Sequence, residues 1–245
     1  MSTLPFNSRL GAILSLCRVS NLPTLWMNVL AAAVLMHVSG GGAHASGVLL
    51  LCAALSCFYC GGMALNDLCD IDYDTVHQRF RPIVDGRITS EQATVVMWAL
   101  FTTGFLCLLA APHRAGVVGG IALLATIWLY DKFHKRHPWT VLAMAAARLL
   151  AFAVTALALT GAVPALVWLA GAVQAVYVLT LTFVARREAR MPAQRYAWPF
   201  IPWMLAAIPL CDGIVLAVLA HPAWLAVGVG VMVMTRGAQR YVRGD

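Results

Sequence analysis

Apolar runs of about 20 residues recur from one end of this chain to the other, each long enough to cross about 30 Å of hydrocarbon as a helix. A water-soluble fold has no core large enough to bury them all. Of the 245 residues, 61% are hydrophobic and 11% charged, against about 25% charged in an ordinary soluble domain. The expected fold is all-α: a polytopic transmembrane helical bundle, one integral membrane domain over residues 1–245. Eight spans are predicted, from Leu22 to Val38, Gly47 to Leu65, Ala93 to Ala111, Gly116 to Tyr130, Trp139 to Thr160, Pro164 to Ala185, Ala197 to Leu219 and Ala223 to Met234. Pro199, Pro202 and Pro209 interrupt the seventh, and the eighth is short for a full crossing.

The net charge of +7 suggests nucleic acid until the charges are placed. Of 17 Lys and Arg, 15 fall before the first span, in every second loop, and after the last span. Only Arg114 lies in an opposite loop, and Arg148 lies inside span five. The positive-inside rule therefore puts both termini and the basic loops in the cytoplasm, in the inner membrane if the source is bacterial, with the bilayer and not nucleic acid as the partner. The apolar run at Leu22 has no cleavage context after Arg9 and Arg18, so it reads as a retained span. The seven cysteines are odd in number, and Cys57-x-x-Cys60 has no second pair for zinc, so they read as reduced packing residues.

One stretch breaks the oily pattern. Residues 64–89 carry five of the ten acids, within an acidic and basic cytoplasmic loop at 66–91 that is the candidate active-site loop; a second cytoplasmic loop is 185–196. Span two runs straight into Asn66, Asp67, Asp70, Asp72 and Asp74, so the helix is expected to continue past the membrane surface. At about 100° per residue, Asp67, Asp70 and Asp74 then share one face within roughly 60°, with Asp72 opposite. Like charges so spaced repel, and the arrangement asks for a cation. Oxygen ligands suit Mg²⁺, usually held by one or two carboxylates plus substrate phosphates. Arg79 and Arg81 follow at once, and guanidinium forks match phosphate oxygens. A solvated loop of balanced charges is the plainer alternative, but the other basic loops contain almost no acid.

The run Asn66-Asp67-Leu68-Cys69-Asp70-Ile71-Asp72-Tyr73-Asp74 resembles the NDxxDxxxD signature of the UbiA superfamily of intramembrane prenyltransferases. Arg81-Pro82-Ile83-Val84-Asp85-Gly86-Arg87-Ile88 is similar to that family's RPxxxGRI loop. The resemblance implies Mg²⁺ on Asp67, Asp70 and Asp74 and an isoprenyl diphosphate on Asn66, Arg79, Arg81 and the metal, with Asp67, Asp70 and Lys135 as the catalytic groups. Arg18-Val19-Ser20-Asn21 resembles the RxxN motif that faces the cavity, implying roles there for Arg18 and Asn21. Tyr130-Asp131-Lys132-Phe133-His134-Lys135 resembles the Tyr-x-x-x-Lys region. His134 holds the fourth position after Tyr130 and Lys135 the next, so Lys135 is assigned to the diphosphate and His134, with Tyr130, to the cavity. The SNLPT and YDxxHK forms are similar to the EboC-like branch.

The chain also departs from the family. The second acidic motif, DxxxD, is missing between spans six and seven, where Ala185-Arg186-Arg187-Glu188-Ala189-Arg190 offers Glu188 as the only acid. Glu188 then supplies one metal ligand while Arg186 and Arg187 neutralise phosphate directly, or those arginines only orient the helix. The family has nine helices against eight here.

Arg148 lies mid-span, where a charge costs about 2.5–3.5 kcal/mol even on a lenient scale. It either reads the polar head of an acceptor or pairs with Asp212. The function expected is Mg²⁺-dependent transfer of an isoprenyl group to a small, lipophilic or aromatic acceptor with release of diphosphate. A UbiA-type terpene cyclase and a non-catalytic isoprenoid-lipid carrier are the alternatives.

Overall fold

The computed structural model describes residues 9–134, 137, 139–189, 191 and 198–244. Lys135 lies outside the described residues, as do Arg190 and Arg195. A short helix α1 (Arg9–Leu16) and one 3₁₀ turn (Val19–Asn21) lead into α2 (Leu22–Val38), and α3 (Ala45–Cys69), α4 (Ile71–His77), α5 (Ser90–Ala110) and α6 (Ala115–Phe133) follow. The remaining helices are α7 (Thr140–Thr160), α8 (Ala165–Ala189), α9 (Phe200–Ala206), α10 (Ile208–Leu219) and α11 (Trp224–Ala238). No strand occurs among the described residues.

Among the described residues, seven helical segments are long and apolar enough to cross a bilayer, and Trp224–Ala238 is a shorter apolar eighth. This is a multi-pass integral membrane protein. The seventh crossing is divided at Ala207, and Pro209 sits in the first turn of α10; a proline there offers no N–H and its ring crowds the carbonyl four residues back. At about 1.5 Å per residue, the 15 residues of α11 reach only about 22 Å.

The helix α2 lies centrally, packed against α3, α7, α8, α10 and α11. Its span is 72% buried within the protein, against 28% for α5 and for α6, whose Trp98, Leu106, Val118 and Ile121 face outward. Those side chains meet lipid, which is as apolar as they are, so close packing rather than hydrophobic burial joins the helices. Small residues make that possible. A Cβ on Gly116 would come 2.4 Å from Ala158 Cβ, seating α6 on α7, and one on Gly213 would come 2.8 Å from Gly228 Cα, seating α10 on α11.

Successive crossings return the chain to one side of the bundle. On the far side, His113 N donates to Ala158 O at 3.0 Å, and Thr160 Oγ1 lies 3.8 Å from Met36 Sδ. On the near side, the ends of α3 and α6 and the starts of α2 and α7 come together with the 70–89 loop, and there the polar residues collect.

Candidate active site

The expected continuous helix through the acids is not what forms. Helix α3 stops at Cys69, Asp70 takes a non-helical backbone (φ −105°, ψ 6°), and α4 begins at Ile71. No glycine or proline marks the joint. Continuous helical register would have put Asp67, Asp70 and Asp74 on one face. Despite the break, Asp67 and Asp74 both face inward, at 2% and 4% exposure, with Asp70 half-buried and Asp72 exposed.

Arg81 lies between the two buried acids, with Nη1 3.7 Å from Asp67 Oδ1 and Nε 3.9 Å from Asp74 Oδ2. Its loop is held by Arg87, whose Nε donates to Asp85 Oδ2 at 2.7 Å and Nη2 to Phe80 O at 3.1 Å. Gly86 turns the chain at φ +79°, a backbone that glycine adopts without steric cost. Thr89 and Gln92 then form a reciprocal capping box that starts α5.

Arg18 enters from the other side. Nη2 donates to Asp67 Oδ1 at 2.8 Å and to Asn66 Oδ1 at 3.2 Å. Its backbone is left-handed (φ 45°, ψ 47°), alone among the described non-glycine residues, and such strain persists where surrounding contacts over-determine it. Both guanidiniums therefore crowd Oδ1 of Asp67, while Oδ2 is buried with no hydrogen-bond partner among the described residues. A buried carboxylate oxygen left so is costly and calls for a reason.

Asp70 faces the end of α6, where His134 Nε2 lies 3.3 Å from its Oδ2. Burial opposes the charged ring, but the Asp70 carboxylate outweighs it and raises the His134 pKa above 6.5. His134 stacks on Tyr130 with centroids 5.0 Å apart.

Below this polar rim lies a cavity of about 210 Å³, walled by Arg18, Asn21, Phe58, Tyr59, Ile127, Tyr130, Asp131, Arg148 and other, mostly apolar residues. Arg148 forms no direct ion pair with Asp212. Its Nη1 donates to Asn28 Oδ1 at 2.9 Å, and Asn28 Nδ2 donates to Asp212 Oδ2 at 2.6 Å. The guanidinium thus faces the cavity while a neutral amide links it to its counter-charge.

Arg18, Asn21, Asn66, Asp67, Asp70, Asp74, Arg81, Tyr130, His134 and Arg148 therefore gather at the cavity or its rim. Others do not join them. Arg79, in the turn after α4, is exposed and returns its Nε to Thr75 O of that helix at 3.3 Å. Arg187 is exposed, whereas Arg186, whose Nη2 donates to Thr140 Oγ1 at 3.2 Å and fastens α8 to α7, is near enough to Tyr130 to act on it electrostatically. Glu188 sits in the last turn of α8, and no three acid, histidine or cysteine side chains form a ready metal cluster among the described residues. Sequence reasoning passed over Asp131, buried and accepting from Asn66 Nδ2 at 3.1 Å; an acid closing an apolar span was its only signal. Tyr59, whose hydroxyl accepts from Asn21 at 3.2 Å, and Asn28 were missed too, since one polar residue inside an apolar run does not reveal what it faces.

A model of the UbiA prenyltransferase family matches residues 22–245. The chain belongs to that family. This UbiA-family chain is 35% identical over 102 residues to a digeranylgeranylglyceryl phosphate synthase from Hyperthermus butylicus, covering 40% of this chain and 31% of that one. It is 30% identical over 149 residues to a 4-hydroxybenzoate octaprenyltransferase from Pseudoalteromonas atlantica, covering 60% and 49%. The chain thus spans less than half the length of these curated relatives.

Solved structures share its fold. One, described as digeranylgeranylglyceryl phosphate synthase in membranes, superposes with a TM-score of 0.63 at 15% identity, over 96% of this chain and 95% of the other. A UbiA homologue from Archaeoglobus fulgidus bound to DMAPP and Mg²⁺ gives 0.57 at 17% identity, over 89% and 86%. The likeness runs to the family as a whole, without singling out a branch.

Proposed function

We propose that this UbiA-family protein is a Mg²⁺-dependent membrane prenyltransferase that moves an isoprenyl group from its diphosphate to a small acceptor and releases diphosphate. The observation that carries the reading is Asp67: buried at the mouth of an apolar cavity, flanked by two guanidiniums on one oxygen, and bare on the other. The prenyltransferase names of the curated relatives support it, as does the A. fulgidus homologue with DMAPP and Mg²⁺.

The donor set fits the ion. Mg²⁺ takes oxygen ligands and is usually completed by substrate phosphates and water, so a ready three-ligand protein cluster is not required. Asp67, Asp70 and Asp74 would hold it, with Glu188 as the one acid available from the second loop, and the bound ion supplies positive charge to the diphosphate. Arg81 and Arg18 offer planar donor forks to phosphate oxygens and stabilise the negative charge that grows as the allylic C–O bond breaks. Phe58, Leu55 and Ile127 wall the cavity below, where an isoprenoid chain is received and water excluded from the carbocation. Arg148, deeper in the same cavity, offers guanidinium donors to the polar head of the acceptor. Arg186, near the end of α8, and Lys135, by its likeness to the family's Tyr-x-x-x-Lys region, would add further cationic charge, and we orient this end of the bundle toward the cytoplasm.

Diphosphate release by purified protein, given Mg²⁺, a panel of isoprenyl diphosphates and candidate acceptors, tests the reading. Release that requires Mg²⁺ and disappears in Asp67→Ala and Asp70→Ala is expected, with product masses showing the acceptor joined to the isoprenyl group. Cyclic products formed without acceptor would instead make it a cyclase. Diphosphate binding without any release, even with membrane extract as acceptor source, would sink the enzyme reading in favour of a carrier.

A further inference from the structure

Past Ala238 the chain does not leave the bundle. It turns back on itself, with Tyr241 N and Val242 N both donating to Ala238 O at 3.0 and 3.1 Å, and runs over the mouth of the cavity. One side chain receives it there. Asn21 Oδ1 accepts from Gln239 Nε2 at 3.2 Å, and Asn21 Nδ2 donates to Gly244 O at 2.8 Å, while the same Nδ2 holds Tyr59 in the cavity wall. Gly244 itself lines the cavity, and a Cβ on it would come 2.6 Å from Asn21 Oδ1. Close docking requires a bare backbone at that point. Between these ends, Val242 is buried and Tyr241 exposed. The Arg243 guanidinium lies 4.2 Å above the Phe80 ring, on which Arg81 also rests at 5.5 Å. The segment therefore bridges Asn21, beside span one, and Phe80, beside the acidic site.

The geometry points to residues Gln239–Gly244 as a lid on the cytoplasmic mouth of the cavity, latched by Asn21 and Phe80, which shuts water out when docked and admits the acceptor when released. The latch consists of two neutral hydrogen bonds, one apolar side chain and one cation–π contact, each of a kind that forms and breaks reversibly. A cavity meant to hold a carbocation needs such closure, because water reaching it captures the cation. In that case the allylic C–O bond to diphosphate breaks, water oxygen forms the new C–O bond, and a proton is lost to give an isoprenyl alcohol.

The test does not depend on turnover. Ala147 lines the cavity beside Arg148, and Ala147→Cys in the full chain can be labelled by an anionic, membrane-impermeant thiol reagent, with its peptide followed by mass to separate it from the seven native cysteines. Two second-site variants unlatch the lid: Val242→Asp puts a charge at the buried anchor, and Gly244→Val thrusts a side chain at Asn21. Each is expected to speed labelling about tenfold, because the rate follows the fraction of molecules that are open. Tyr241→Ala, on the exposed face, leaves the rate unchanged. Unchanged labelling in the unlatching variants that elute as folded protein would overturn the lid, and Gly244→Val keeps the test decisive should Val242→Asp misfold. A second arm rests on the prenyltransferase reading: in a turning-over enzyme, unlatching raises the ratio of isoprenyl alcohol to transferred product. Faster labelling with no diphosphate release in any variant leaves the lid standing and removes the enzyme, so the two failures are distinguishable.

Discussion

The protein sets arginine against aspartate at two depths and solves the problem differently at each. At the rim, Arg18 and Arg81 touch Asp67 directly, at 2.8 and 3.7 Å. Inside the membrane, Arg148 and Asp212 are kept apart by the amide of Asn28. Under the proposed function, direct pairing at the rim is reversible, since phosphate and metal would replace each partner as it is given up. Pairing through an amide in the bundle settles the charges without spending the cavity face of the guanidinium. The difference teaches that the rim is built to exchange partners and the interior to keep them.

That contrast can be broken most forcefully at the two aspartates. Asp67→Ala should lower diphosphate release roughly 10³-fold, yet shift unfolding little, because Arg18 and Arg81 keep Asn66 and Asp74 as partners at the mouth. Asp212→Ala should do the reverse. It strands the Arg148 charge in the bundle at a cost of about 3 kcal/mol, read as a lower unfolding midpoint in detergent. Equal loss of stability in both variants would erase the distinction.

A smaller effect separates the rim from the interior by pH. The His134 pKa is raised by Asp70, so the folded state binds the proton more tightly than the unfolded chain. The stabilisation is then fully present below pH 6.5 and fades as pH rises through the raised folded value. His134→Gln should flatten that part of the curve of unfolding midpoint against pH. Smallest of all, Arg79→Ala should change stability by less than about 0.5 kcal/mol and leave diphosphate release within about twofold, since among the described residues its side chain bonds just the Thr75 carbonyl of the preceding helix. A large loss of release would bring Arg79 back into the site.

The sequence displayed its spans plainly because each is a run of apolar residues, and Leu22–Val38 begins and ends where expected. The site was legible wherever charge interrupts that run: Asp67, Asp74, Arg81 and Arg18 stand out against the apolar background. Partnership was not legible. Nothing near Asn28 in the chain announces residues 148 and 212, and nothing near Asn21 announces Gly244, 223 positions away. The joint at Asp70 was hidden for a different reason. Asp70 and its neighbours are compatible with a helix, and no glycine or proline stands there to announce a break.

That joint has a mechanical consequence. Asp67 rides on α3, a rod of 25 residues seated in the membrane, while Asp74 rides on α4, a rod of seven, and a single residue hinges them. Any ligand gripping both carboxylates acts as a splint across the knee. Filling the site should therefore stiffen residues 71–77 and slow their amide exchange, whereas Asn28 and Arg148, on the unbroken helices α2 and α7, have no such joint to lock.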